Sequence, residues 1–177
     1  VIVTGATGGV GSIAVAMLAG LGYRVAASTG KTTESEYLCR LGASEILSRE
    51  DVSAESNRPL DSEQWAGAVD PVGGATTAYL IRTTKYGGSV AVSGLTGGVA
   101  VSTSVLPFIL RGVNLLGIES VQCPASIRQI IWDRIASDLK PADLLELIAV
   151  RTDLDGISDV AKRILAGEVR GRTLVAI

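Results

Sequence analysis

Four glycines fall within seven residues near the amino end, in Gly5-Ala6-Thr7-Gly8-Gly9-Val10-Gly11. The apolar, β-branched run Val1 to Thr4 precedes them, and a helical pattern from Ile13 to Leu21, stopped by Gly22, follows. A glycine turn between strand and helix lets backbone approach a pyrophosphate closely and aims the helix amides at it. The competing reading is a tight turn that only packs the helix on the sheet. The strand before the turn and the amphipathic helix after it favour dinucleotide binding.

The end of the second strand sets which dinucleotide. An acidic side chain there would hold the ribose 2′-hydroxyl of NAD and repel a 2′-phosphate. This chain has Ser28-Thr29-Gly30-Lys31 instead, two hydroxyls, a flexible backbone and an ammonium. That set suits a phosphate dianion and favours NADPH over NADH, the alternative being a polar turn with a solvated lysine. Histidine is absent, which excludes Ser-His and Cys-His nucleophiles and an imidazole proton shuttle. Cys39 and Cys123 lie far apart, so a zinc site would need two thiolates and carboxylates alone, and no metal is expected. Tyr23, Tyr37, Tyr79 and Tyr86 are followed four residues on by Ala27, Leu41, Thr83 and Val90, so the tyrosine–lysine pair of short-chain dehydrogenases is missing.

The elements that would position these residues alternate. Strands are expected at Val1 to Thr4, Tyr23 to Ser28, Glu45 to Leu47, Ala66 to Asp70, Gly88 to Ser93 and Val113 to Ile118. Helices are expected at Ile13 to Leu21, Thr32 to Leu41, Thr76 to Lys85 and Leu106 to Arg111, with Asp51 to Glu63 a loop or short helix. Tyr86-Gly87-Gly88 reads as a turn feeding the fifth strand, and Asp70 as a cap for the turn after the fourth. The count predicts an α/β Rossmann fold, a doubly wound parallel six-stranded sheet with helices on both faces. Beyond Pro124 the pattern is helical, around Ile127 to Ile135, Leu144 to Ile148 and Ile157 to Leu165, before a final strand, Arg172 to Ile177, with no evident partner. The expected organisation is an NADP(H)-binding core over 1–123 and a C-terminal portion over 124–177 that completes it. Trp65 and Trp132 read as core or interface anchors, and the cysteines as structural thiols.

At 177 residues and 47% hydrophobic the chain suits one domain, and the 4% aromatic content suits a parallel sheet rich in aliphatic side chains. A formal charge of -2 with interspersed signs gives no footprint for nucleic acid or an anionic membrane. Lacking a run of about twenty apolar residues or a signal-peptide pattern, the protein is expected to be soluble and cytoplasmic. It opens on Val1-Ile2-Val3 without a methionine, as a domain of a longer protein would.

Val3 to Leu18, Ser28 to Lys31, Tyr37 to Ser44, Trp65 to Asp70, Pro107 to Arg111 and Gly171 to Val175 together resemble the zinc-independent quinone oxidoreductase branch of the medium-chain dehydrogenase/reductase superfamily, nearest its acrylyl-CoA reductase group. The resemblance spans the whole chain. It implies that Thr7, Gly8, Gly9 and Val10 wrap the pyrophosphate of NADPH, that Thr29, Gly30 and Lys31 take the 2′-phosphate, and that Arg49 sits at the adenosine phosphate end. It places Leu95, Ile109 and Ser120 at the nicotinamide end. It further implies hydride transfer to an enoyl-CoA or quinone substrate, with catalytic residues in a preceding GroES-like domain and none in this chain. The final strand would cross back toward that domain. Left without it, the apolar strand is expected to pair with another copy or stay mobile, making a homodimer the expected state. The alternative is a non-catalytic NADP(H)-sensing or scaffold domain.

Overall fold

The computed structural model describes residues 1–142 and 144–177. Its central sheet contains β1 (Ile2–Val3), β2 (Val25–Thr29), β3 (Ala43–Ser48), β4 (Trp65–Asp70), β5 (Thr84–Val92) and β6 (Asn114–Gly117). The strands lie in the order β3-β2-β1-β4-β5-β6, every pair parallel. This is the doubly wound order expected of the six-strand pattern. Helices α1 (Gly9–Gly20), α2 (Ser35–Arg40), α3 (Gly74–Thr83) and α4 (Leu106–Arg111) form the crossovers, with a 3-10 turn over Thr32–Glu34 leading into α2.

The two-residue period of the strands divides the core. Val3, Val25 and Ala27 face Val15 of α1 and Tyr37 and Leu38 of α2. Ile2, Ala26, Ala68 and Val90 face the other way, onto Leu80 and Ile81 of α3 and onto Val113. Because both faces are covered, the inner strands carry apolar residues at successive positions, which explains the unbroken Val-Ile-Val and Val-Ala-Ala runs. Trp65 packs against the second core, whereas Trp132 is exposed.

The Tyr86-Gly87-Gly88 turn lies inside β5 rather than before it. Trp65 pairs with Thr84 and Gly67 with Ser89, so the intervening residues bulge out, with Gly87 at φ +71°. Arg82 anchors the long loop before β4, its Nε 3.0 Å from the Asp61 carboxylate and its Nη2 2.8 Å from the Ala54 carbonyl.

The last third contains α5 (Ala125–Ala136), a π-helical turn over Leu144–Ile148, β7 (Ala149–Thr152), α6 (Ile157–Leu165) and β8 (Arg172–Val175). Here the sequence expectation needs correction. β8 has a partner within its own chain, running parallel to β7 from Ala149↔Arg172 to Thr152↔Val175. β7 leaves no strand signal in the sequence, because its four residues, two of them polar, directly follow a turn whose Leu144 to Ile148 pattern reads as helix. Leu174 and Val175 remain partly exposed and Ile177 fully so.

The glycine turn shows why its last member must be glycine. A Cβ on Gly11 would drive into the Gly5 carbonyl oxygen and come within 2.7 Å of the Ala6 Cα. Those are backbone atoms that cannot rotate aside. Gly11→Ala is therefore expected to destabilise the fold by about 2–3 kcal/mol, read as a lower midpoint in chemical denaturation.

Candidate functional site

β1 leads to β2 on one side and β4 to β5 on the other, so a crevice opens beyond their carboxyl ends, where ligands of open α/β sheets bind. Asp70, fully buried at the end of β4, ties the two halves together. Its carboxylate accepts a 2.6 Å hydrogen bond from the Thr4 hydroxyl on the β1 side and another from the Thr77 hydroxyl of α3. It also accepts the Val72 N–H at 2.9 Å, so the capping role read from the sequence holds and extends to a junction of β1, β4 and α3. Gly5, at φ +51°, makes the turn beside it, with Val72 Cγ2 where a Cβ would crowd.

A cleft of about 420 Å³ follows this edge, lined by Thr7, Thr29, Gly30, Lys31, Arg49 and Thr76 among others. The hydroxyls of Thr7 and Thr29 are 3.1 Å apart, coupling the glycine turn to the end of β2. The Lys31 N–H donates to the Thr29 hydroxyl at 3.0 Å, closing the turn after β2. Arg49 arrives from β3 and crosses Gly30 so closely that a Cβ there would lie 2.6 Å from its Nη2. Next to it, the Asp51 carboxylate accepts the Ser48 N–H at 2.9 Å and the Asp51 N–H donates back to the Ser48 hydroxyl, a closed turn that presents Arg49. Hydrogen bonding to Ser48, side chain first and then backbone, holds the Asp51 carboxyl below the usual carboxylate range.

At the front of α1, Gly8 takes the N-cap position at φ −79° with its N–H donated to Gly5. The first helical amides after it carry no side-chain cap, which leaves them to an external acceptor. Val10 is partly exposed on the same turn. The structure therefore gathers Thr7, Thr29, Gly30, Lys31 and Arg49 along one cleft, whereas Gly8, Gly9 and Val10, at the start of α1, are not among its lining residues. Leu95, Ile109 and Ser120 lie outside that lining. Leu95 and Ile109 are largely exposed on the loop after β5 and on α4, and Ser120, exposed after β6, accepts from Arg128 through its carbonyl.

Sequence reasoning missed a strap. Residues Val169 to Arg172 cross the turns that follow β1 and β2, each touching a different part of them. The Val169 carbonyl accepts from Lys31 Nζ at 2.6 Å, and the Gly171 N–H donates to the Thr7 carbonyl at 2.9 Å. Arg170 pairs with Glu34 at 2.8 Å and stacks on the Tyr37 ring at 4.6 Å. The Arg172 guanidinium lies where a Cβ of Gly9 would be. Burial pushes the Tyr37 phenol above its ordinary pKa. The signal available in the sequence was Arg170-Gly171-Arg172, a basic pair around a glycine before an apolar strand; only the fold brings it to the first thirty-odd residues.

No helix among the described residues is long and apolar enough to cross a membrane. Among the described residues no group of three or more His, Cys, Asp or Glu side chains is placed to hold a metal ion.

Residues 9–137 match the family model described as zinc-binding dehydrogenase. The zinc in that description does not fit this chain's donors, which include no histidine and no carboxylate–thiolate cluster among the described residues. YhfP of Bacillus subtilis, which carries a quinone oxidoreductase name, is 53% identical over all 177 residues, covering 54% of its length. Its crystal structure with NAD bound matches 99% of this chain, and 54% of its own, at a TM-score of 0.94. The acrylyl-CoA reductase AcuI of Ruegeria pomeroyi is 50% identical over the whole chain and 53% of its own length. The yhdH oxidoreductase of Salmonella enterica, solved in complex with NADP, is 47% identical with a TM-score of 0.95, covering 99% of this chain and 53% of that one. The chain thus spans about half the length of the relatives it matches. With its six-stranded order, its glycine turn and these likenesses, the chain belongs to the zinc-binding dehydrogenase family, in the medium-chain branch that holds the quinone oxidoreductase and acrylyl-CoA reductase relatives.

Proposed function

We propose that this chain is the cofactor-holding domain of a zinc-independent, NADPH-dependent reductase acting on an activated alkene of the acrylyl-CoA type or on a quinone. The observation that carries the reading is the cleft that joins Thr7 of the glycine turn to Lys31 and Arg49, with no acid at the end of β2. An acid there would oppose a 2′-phosphate, and its absence leaves two cations facing that position. The NADP complex of the Salmonella relative and the reductase name of the Ruegeria relative support the same assignment. NAD in the Bacillus relative makes the residues around the 2′ position, rather than the fold, the basis of the preference.

Bound NADPH supplies a hydride, which goes to the β-carbon of the alkene while a proton goes to the α-carbon, leaving NADP⁺ and the saturated product. The work of this chain is binding and orientation. Thr7 and the α1 amides hold the pyrophosphate, and Arg172, lying on Gly9, brings a cation to the same end. Thr29, Gly30, Lys31 and Arg49 hold the adenosine phosphates, while Leu95, Ile109 and Ser120 line the nicotinamide end. No catalytic acid is assigned within residues 1–177. In this reading 1–123 is the binding core and 124–177 completes it and leads back toward a GroES-like catalytic domain. The free Cys39 and Cys123 fit a reducing, cytoplasmic setting. β6 is one of the two edge strands, and Leu115, Leu116 and Ile118 at that edge are about half exposed, which supports a homodimer joined there.

The test is NADPH oxidation by the full-length protein with acrylyl-CoA and with a quinone, followed by absorbance, on a preparation whose mass is read by light scattering. Substrate-dependent oxidation by a dimer is expected. Tight NADPH binding without turnover on either substrate would instead favour a sensing or scaffold domain, and a monomer at every concentration would remove the dimer.

A further inference from the structure

The turn that follows β2 carries an acid after all, three residues beyond Lys31. Glu34 ends the 3-10 turn Thr32–Glu34, and its N–H donates to the Lys31 carbonyl at 3.0 Å, so the two charges belong to one rigid turn. A bare carboxylate there would repel a 2′-phosphate dianion bound at Lys31. Glu34 is not bare. Arg170, 136 residues from Glu34 in sequence, places its Nη1 2.8 Å from Glu34 Oε2, while its guanidinium plane rests on Tyr37 with 4.6 Å to the ring centroid. Tyr37 is itself buried against the first core, so the stacking fixes where the arginine sits. On either side of Arg170, the Val169 carbonyl and the Gly171 N–H are pinned to Lys31 and Thr7.

We infer that Arg170 is a specificity-determining positioning residue: by neutralising Glu34 it keeps the turn after β2 net positive and thereby sets the preference for the 2′-phosphorylated dinucleotide. The inference rests on the reading that Lys31 and its turn hold that phosphate. Glu34 and Arg170 retain 25% and 45% of their side-chain exposure, so water screens the repulsion and the effect is moderate.

The experiment is a titration of NADPH and NADH against the full-length protein carrying Arg170→Ala, Glu34→Gln, both together, Arg170→Lys, or Lys31→Ala. Arg170→Ala is expected to weaken NADPH about three- to tenfold and NADH by less than about twofold, more at low salt than at high. Adding Glu34→Gln to it should restore NADPH to within about twofold of the parent, because the charge left exposed is gone. Arg170→Lys should retain the preference. Equal losses for both cofactors in Arg170→Ala, or a double variant as weak as the single, would overturn the inference and leave the strap a structural clamp. If Arg170→Ala does not fold, Glu34→Gln alone decides: it leaves Arg170 unpaired and should tighten NADPH selectively, and an unchanged cofactor ratio counts against the proposal. Lys31→Ala separates the two levels. A ratio unmoved by Lys31→Ala defeats the reading of the turn itself, whereas a ratio moved by Lys31→Ala and not by Arg170→Ala defeats only the role of Arg170.

Discussion

Gly8→Val is expected to abolish dinucleotide binding, a loss of about 100-fold or more, while the protein keeps its fold. Gly8 sits at φ −79° and ψ 172°, extended backbone that valine adopts readily, and a Cβ would find only the Gly5 carbonyl oxygen, at 3.3 Å. That contact is tight and asks the turn to give by a few tenths of an ångström, while the rest of the side chain stands before the first amides of α1, where the proposed reading puts the pyrophosphate. Gly11, three residues on, behaves oppositely, since its Cβ would drive deep into backbone. Circular dichroism and thermal melting should show Gly8→Val near the parent, and a cofactor titration should show no binding. Retained affinity would move the phosphate site away from this helix.

Lys31→Ala is expected to lower NADPH affinity about tenfold, from the loss of one charge-assisted contact, and NADH affinity by less than about twofold. The structure gives a competing consequence. Lys31 Nζ already donates to the Val169 carbonyl at 2.6 Å, so the substitution also releases the strap from the turn. An ammonium has three donors, and one bond to a carbonyl leaves two for a phosphate. If the strap contact is its main task, NADPH and NADH should weaken together. A selective loss identifies the phosphate contact; parallel losses assign Lys31 to the strap.

What could be read from the sequence was what neighbours in the chain decide. Strand–turn–helix alternation, the glycine turn and the lack of an acid at the end of β2 are local patterns, and they placed the six strands and singled out Ser28 to Lys31, whereas Thr7 and Arg49 came from the family resemblance; the structure gathers Thr7, Thr29, Gly30, Lys31 and Arg49 along one cleft. Boundaries moved where a local signal served another purpose, as at Tyr86 to Gly88, where a turn is folded into β5 as a bulge. β7 was illegible because Ala149–Thr152 is too short to show a period and follows directly on a π-helical turn. With β7 unseen, β8 had no partner to be assigned. The strap was hidden for a different reason: Lys31 and Val169 are separated by 138 positions, and no periodicity reports a contact between a side chain and a remote carbonyl. Arg170 and Glu34, each an ordinary surface charge in the sequence, acquire their pairing only from that crossing.

The measurement that bears most directly on the account is a side-by-side titration of NADPH and NADH into the full-length protein and its Gly8→Val variant. NADPH is expected to bind about tenfold or more tighter than NADH in the parent, from the cations at the 2′ position, and both are expected to be lost in the variant. Equal affinity for the two cofactors in the parent, or binding that survives Gly8→Val, would contradict this expectation.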